Sequence, residues 1–346
     1  MKRLLIASTR LPPISGGAEQ VAWETGKRLA ADYEVHILTI GTGQTCLKDN
    51  VRIHYAPPTR PYTLLYSTIL KPSMNAIYRE ISPDILHSHM PLPWAYVFAK
   101  AKCAKIVTCH GLGFSESSEY PRQRHLSRFL LKRALENADI VTAPSKWLAD
   151  YIEEKYDVSC TALPNGVDTN VFAPMKEVRT RNNVILYVGR FVTRKGLREL
   201  VEAARALQEY EFWLVGNPKT GTVEVPSLPN LRVMGFVDNV AICYNQASLC
   251  VFPSYWENFP MVGLEAMACG RAIVATRIGF SEYVEDGHDG VLVEPGRSDE
   301  LIQSIKCLMD DGGTRTRLER NAREKAMRYD WRIVMNQYRV LYEGLQ

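Results

Sequence analysis

The chain has 346 residues, 46% hydrophobic and 23% charged, with a net charge of +4. That length suits two domains of roughly 150 to 170 residues, each able to bury its own core, and so mild a charge lacks the basic stripe of a nucleic-acid binder. The eight cysteines include no Cys-x-x-Cys pair, which excludes an evident zinc ribbon or disulfide frame and predicts buried free thiols in a reducing cytosol.

The charge is uneven. Residues 1–167 carry 20 basic against 15 acidic side chains, and residues 168–346 carry 22 against 23. The opening "MKRLLIASTR" has a short apolar core that predicts a strand over 3–8, not a signal peptide. No apolar run approaches the ~18 residues of a membrane span, so a cytoplasmic protein is expected. "RLPPISGGAEQ" follows, with Gly16 and Gly17 just ahead of a helix over 18–30. Glycines there let backbone N–H groups approach a phosphate or sugar closely, although two glycines can equally just shape a turn. The Gly-x-Gly-x-x-Gly order is missing.

Short β-branched runs then alternate with helical patterns, the signature of parallel sheets covered by helices. Strands are predicted over 34–40, 51–55, 84–89, 105–109 and 139–143. His110 stands just past the fourth of these, before Gly111 and Gly113, either in a ligand site or as a satisfied structural histidine. The segment 121–137 carries Arg122, Arg124, Arg128, Lys132 and Arg133, with no acid before Glu136. Leu126, Phe129 and Leu130 are expected to form its opposite stripe. Such a helix suits either an anionic membrane surface or an ordinary solvated face. "LPNGVDTNVFAPMKEVRTRNN" reads as an interdomain linker.

The second half repeats the scheme, with strands over 184–189, 212–216, 231–235, 249–253, 272–276 and 290–294. In open α/β sheets ligands bind beyond the carboxyl ends of the strands, so residues just after strands matter most. Arg190 and Lys195 follow the strand "VILYVG", ahead of a helix. Two cations beside a helix N-terminus call for an anion such as a diphosphate; a solvated basic turn is the plainer reading. After "LCVFP" comes "SYWENFPMVGLEAMACG", with Glu257 in a loop and Glu265 inside a helix predicted from Pro260 to Cys269. A buried carboxylate needs a partner. Ligand hydroxyls are one candidate; an ion pair with Arg277 or Arg190 is the other. The last pattern, with Trp331, Val334, Met335, Tyr338, Leu341 and Tyr342 on one side, predicts an amphipathic helix that needs an apolar surface in the first domain. The chain lacks Asp-x-Asp, a P-loop and a Gly-x-Ser-x-Gly elbow.

Together "GGAE", "TCHG", "PSKWL", "PNGVD", "VGRFVTRKG" and "PSYWENFPMVGLEAMACGRAIVAT" resemble glycosyltransferase family 4. The resemblance spans nearly the whole chain. It implies an α/β chain of the GT-B fold: two facing Rossmann-like doubly wound domains, 1–167 for the acceptor and 168–328 for the donor, with a C-terminal helix, 329–346, crossing back to the first. It further implies a retaining hexosyl transfer from a nucleoside-diphosphate sugar to a glycan or lipid-linked acceptor, without a metal or other cofactor. By the same resemblance Arg190 and Lys195 hold the donor diphosphate, Glu265 the ribose hydroxyls and Glu257 the transferred sugar. His110 meets that sugar near its reacting carbon, and Gly16 and Gly17 close on the donor. Asn258, Phe259, Pro260, Met261 and Val262 line the phosphate and sugar; Pro260, where many members have glycine, has no N–H to offer. A sugar phosphorylase, an epimerase and a non-catalytic nucleotide-sugar binder remain as alternatives, and 121–137 is the candidate contact with the inner face of a membrane.

Overall fold

In a computed structural model of the chain, residues 1–11, 16–57, 65–111, 121–217 and 222–345 are described, the side chains of 65–71 and 121–127 excepted. The chain divides into two compact units, Met1–Pro164 with Met335–Gln346, and Asn165–Val334.

The first unit carries β1 (Arg3–Ala7), β2 (Glu34–Ile40), β3 (Cys46–Lys48), β4 (Val51–Ala56), β5 (Ile85–Ser88), β6 (Ala104–Thr108), β7 (Ile140–Ala143) and β8 (Thr161–Ala162), in the spatial order β3-β4-β2-β1-β5-β6-β7-β8. All neighbours are parallel except β3 and β4. The sequence reading did not find β3 or β8. They are short edge strands, and β3 is exposed throughout, so neither shows the apolar run that marks a buried strand.

The second unit carries β9 (Val184–Val188), β10 (Glu211–Val215), β11 (Leu231–Gly235), β12 (Leu249–Phe252), β13 (Ala272–Thr276) and β14 (Val291–Val293), in the order β11-β10-β9-β12-β13-β14. Its paired strands are parallel. Val184 and Leu186 of β9 join one buried cluster with Trp213, Cys250 and Ile273, while Ile185 and Tyr187 join another with Phe212, Leu249 and Val274. Alternate side chains thus go to opposite faces, each covered by helices, which is why these strands read as continuous apolar runs. Each such Leu or Ile contributes about 1.5–3 kcal/mol by leaving water.

In both sheets the strand order reverses beside the first strand, between β1 and β5 and between β9 and β12. Such a reversal leaves a crevice at the carboxyl ends, where loops diverge to opposite faces.

Three expectations change. The stretch expected as a linker packs within the second unit from Asn165 onward: Val167 is buried and exchanges backbone hydrogen bonds with Tyr329 and Trp331, so its polar groups are satisfied by protein, not water. Cys46 and Cys307 are exposed and Cys103 half-buried, while the other five cysteines are buried; all eight are free. Among the described side chains of the helix Pro121–Glu136 the buried residues are Leu130, Leu131, Ala134 and Leu135, whereas Phe129 is 60% exposed. The 3.6-residue turn places Phe129 off the stripe that Leu131 and Leu135 define. Leu126 lies outside the described side chains.

The helix Trp331–Glu343 buries Trp331, Val334, Met335, Tyr338 and Tyr342, with Leu341 half-buried. Its start is fixed in the second unit, where a Cβ on Gly166 would lie 2.4 Å from the Trp331 ring. Its later turns belong to the first unit, where Arg339 pairs with Asp32 at 2.9 Å and Tyr342 packs on Tyr33 and His87. Among the described residues no helix is long and apolar enough to cross a membrane.

Candidate functional site

The residues singled out in the second unit gather on both sides of its strand reversal. After β9 the turn Thr193–Lys195 ends on Gly196, at φ 68°. A Cβ there would sit 1.8 Å from the Pro253 carbonyl oxygen, so only glycine lets this turn seat against the end of β12. That contact sets Lys195 beside the loop that carries Glu257. The Lys195 Nζ bonds Glu257 Oε1, with the two side chains 14% and 13% exposed. Ser254 Oγ donates to the same oxygen at 3.1 Å. Gly279, at φ 79°, closes the other side; a Cβ on it would meet the Glu257 carbonyl at 2.6 Å.

Lys195 therefore does not stand bare: Glu257 supplies an internal anion. The surplus positive charge lies on Arg190, which is exposed and whose guanidinium makes no hydrogen bond or ion pair among the described residues. Burial, then the neighbouring Arg190 charge, pushes the Arg194 pKa down.

Glu265 lies in the helix Met261–Ala268. Its Oε2 accepts a hydrogen bond from Tyr244 Oη at 3.0 Å, and the same hydroxyl is 3.3 Å from the Val262 carbonyl. The alternative ion pair is not formed among the described residues: Arg277 bonds Asp286 at 2.8 Å and Glu294 at 3.0 Å instead. With no cation beside it among the described residues, burial pushes the Glu265 carboxyl up to about 7, against the opposing pull of the Tyr244 hydrogen bond. Pro260 is extended, at φ −75° and ψ 113°, and caps this helix rather than starting it. The two carbonyls before the helix are held, Phe259 by Asn165 Nδ2 at 3.1 Å and Pro260 by Tyr283 Oη at 2.6 Å. The N–H groups of Met261 and Val262 lack intrahelical acceptors, as at any helix start, and form its positive end. Both residues are half-buried, as is Asn258.

The first unit offers different groups at its own reversal. Gly16 caps the helix Gly17–Leu29, but its N–H goes to Glu19 Oε2 at 3.0 Å; both Gly16 and Gly17 are exposed. Residues 12–15 lie outside the described part. His110 follows β6, with Nε2 3.0 Å from His89 Nδ1 and the two rings stacked, centroids 5.2 Å apart. His89 follows β5 and donates its backbone N–H to Ala7, at the end of β1, at 2.9 Å. Beneath it, His87 Nδ1 lies 2.5 Å from Tyr342 Oη, and His87 Nε2 lies 2.7 Å from Thr108 Oγ1, itself 2.7 Å from Thr142 Oγ1. Burial pushes His87 down to about 3, His110 to about 4 and His89 well below the usual imidazole range, so all three are neutral at physiological pH.

Sequence reading missed His89 and Tyr244. "HSH" at a strand end was a usable signal, since residues two apart on a strand share a face. Tyr244 had none, because only packing brings its helix, Val240–Gln246, against Glu265. Among the described residues, Glu285, His288 and Asp289 form the one group close enough to share a metal ion, and there Lys325 already places its ammonium 3.2 Å from Asp289.

Residues 15–171 match the family model described as Glycosyltransferase Family 4, and residues 182–311 the model described as Glycosyl transferases group 1. The chain is 29% identical to an uncharacterized glycosyltransferase of Methanocaldococcus jannaschii, over 96% of each chain. Its structure resembles sucrose-phosphate synthase from Thermosynechococcus elongatus, with a TM-score of 0.87 at 23% identity, covering 100% of this chain and 99% of that one. It also resembles Anabaena HepE, solved in complex with UDP-glucose, with a TM-score of 0.82 at 19% identity, covering 99% and 100%.

Proposed function

Since this chain belongs to glycosyltransferase family 4, the group 1 glycosyl transferases, and is a glycosyltransferase of the GT-B fold, we propose that it moves a hexose-type sugar from a nucleoside-diphosphate sugar to a glycan or lipid-linked acceptor, with retention of configuration and no metal. The observation that carries this reading is the charged group at the second unit's reversal. Lys195 is paired to Glu257, Arg190 is exposed, the helix Met261–Ala268 begins beside them, and among the described residues Glu265 has a neutral partner, Tyr244, and no cation. The likeness to HepE, which was solved with UDP-glucose, supports a donor of that class.

In this reading the diphosphate lies against Arg190, Lys195 and the amides of Met261 and Val262. Breaking the bond from sugar C1 to phosphate develops negative charge on the leaving diphosphate. Preplaced positive groups that hold it more tightly as that charge grows lower the barrier. The acceptor oxygen forms its bond to C1 on the face the phosphate leaves, and the phosphate takes the acceptor's proton, so no side chain need become a nucleophile. Glu257, steadied by Lys195 and Ser254, accepts hydroxyls of the transferred sugar, with Asn258, Phe259 and Pro260 framing it. Glu265 accepts the paired ribose hydroxyls, which stabilise its ionised form where burial disfavours it. By the family resemblance, Gly16 and Gly17 meet the donor and His110 meets the transferred sugar.

Phe129 stands exposed next to exposed Lys132 and Arg133, which suits contact with an anionic membrane carrying a lipid-linked acceptor. Sedimentation with anionic liposomes at low salt tests it, and an unbound protein there removes the membrane contact. The transfer itself is tested with UDP-, GDP- and ADP-sugars by NMR of the product's anomeric centre. An α-linked donor is expected to give an α-linked product, and a β-linked product overturns retention.

A further inference from the structure

We propose that His89 is a positioning residue: through the hydrogen bond from its Nδ1 to His110 Nε2, it sets the ring orientation of His110 and the nitrogen on which His110 carries its proton. The functional consequence rests on the reading above that His110 meets the transferred sugar; the coupling of the two rings does not.

Two neutral imidazoles with nitrogens 3.0 Å apart share one proton, and two arrangements are open. If His110 donated, the proton of His89 would lie on its own Nε2. That nitrogen is buried and has no partner among the described residues, and His89 is 1% exposed. A buried N–H without an acceptor costs about 1–3 kcal/mol and is rare in folded proteins, more so than an unfilled acceptor. The favoured arrangement therefore has His89 donating from Nδ1 and His110 accepting at Nε2. Neutral His110 then carries its proton on Nδ1, the nitrogen not engaged by His89.

His89 is itself held in place. Its backbone N–H is bonded to Ala7, and its ring lies against His87, with centroids 4.2 Å apart. His87 is engaged at both nitrogens, by Tyr342 of the last helix and by Thr108 of β6. Either direction of donation is open along that row, for instance Tyr342 O–H to Nδ1, Nε2–H to Thr108 Oγ1, and Thr108 O–H to Thr142 Oγ1. The buried row thus forms a rigid floor under His89, and the bond to His110 is the part of the cluster directed at a residue of the candidate site.

The experiment compares His89→Leu, His89→Asn and His110→Ala in the full chain with wild type. The readouts are kcat, donor KM and ¹⁵N NMR of histidine-labelled protein. Asn retains an N–H near the Nδ1 position and is expected to keep kcat within about fivefold, whereas Leu is expected to lower it about tenfold or more with donor KM little changed. The wild-type spectrum is expected to show His110 Nε2 unprotonated, and His89→Leu to mix the two tautomers. A wild-type His110 protonated at Nε2 overturns the proposal even if the Leu variant fails to fold, and so does a folded Leu variant with unchanged kcat and tautomer. If His110→Ala turns over normally while the wild-type spectrum shows the expected tautomer, the coupling stands and only the sugar contact falls.

Discussion

The two sheets share a strand order and a reversal beside their first strand, yet they fill that place with opposite chemistry. The first unit sets neutral imidazoles and hydroxyls there: His89 is hydrogen-bonded to His110, and His87 to Thr108, which meets Thr142, with the His87 and His89 rings packed together. The second sets charges there, Lys195 against Glu257, with Arg190 exposed and, among the described residues, no cation paired to Glu265. The fold supplies a location and side chains decide its use. A neutral network orients through directional bonds, whereas preplaced charge stabilises charge that develops elsewhere.

If that division holds, Lys195→Ala should lower kcat by about 10²-fold or more, the magnitude of losing one electrostatic stabiliser. A drop no larger than that of His89→Leu would mean the charged end does not carry the barrier.

Next in size is the pH response of the donor. Glu265, pushed up to about 7, must ionise to accept two ribose hydroxyls. Donor KM should therefore rise about tenfold from pH 8 to pH 6, since one pKa unit corresponds to tenfold in the ionised fraction. Glu265→Gln should flatten this profile. The stability sign runs the other way: with its folded pKa raised, Glu265 contributes stability fully below pH 4.5, and that contribution is lost as pH rises through about 7. Tyr244→Phe, which removes the hydrogen bond that favours the ionised form, should move the midpoint of the KM profile to higher pH. A profile unmoved in both variants would take Glu265 out of donor binding.

The smallest effect is expected at Arg277. Its pairs with Asp286 and Glu294 are about half exposed, so Arg277→Ala should change stability by less than about 1 kcal/mol and leave donor KM alone. A large rise in KM would restore Arg277 as the partner of Glu265.

The two regions also differ in how much of them could be read beforehand. In the second unit the cations and carboxylates stand just after strands whose apolar runs are unmistakable, so Arg190, Lys195, Glu257 and Glu265 could be placed by counting. In the first, only Gly16, Gly17 and His110 stood out. His89 was absorbed into a predicted strand, since a histidine two residues from another reads as alternation until its ring is seen against its neighbours. The short strands β3 and β8 escaped for lack of a buried face, and Phe129 was assigned to the wrong side of its helix because the stripe there is drawn by Leu131 and Leu135.

Periodicity and spacing alone determined the alternation of strands and helices, the two parallel sheets and the loops that carry charge, because each depends on residues a few positions apart. Which partner each polar group takes was decided only by the tertiary structure. Glu265 chose Tyr244 over Arg277, Lys195 chose Glu257, and His110 chose His89, through contacts spanning 21 to 62 positions. A buried polar group must be satisfied by whatever packing brings within about 3 Å, and the order of residues along a chain does not state that neighbour.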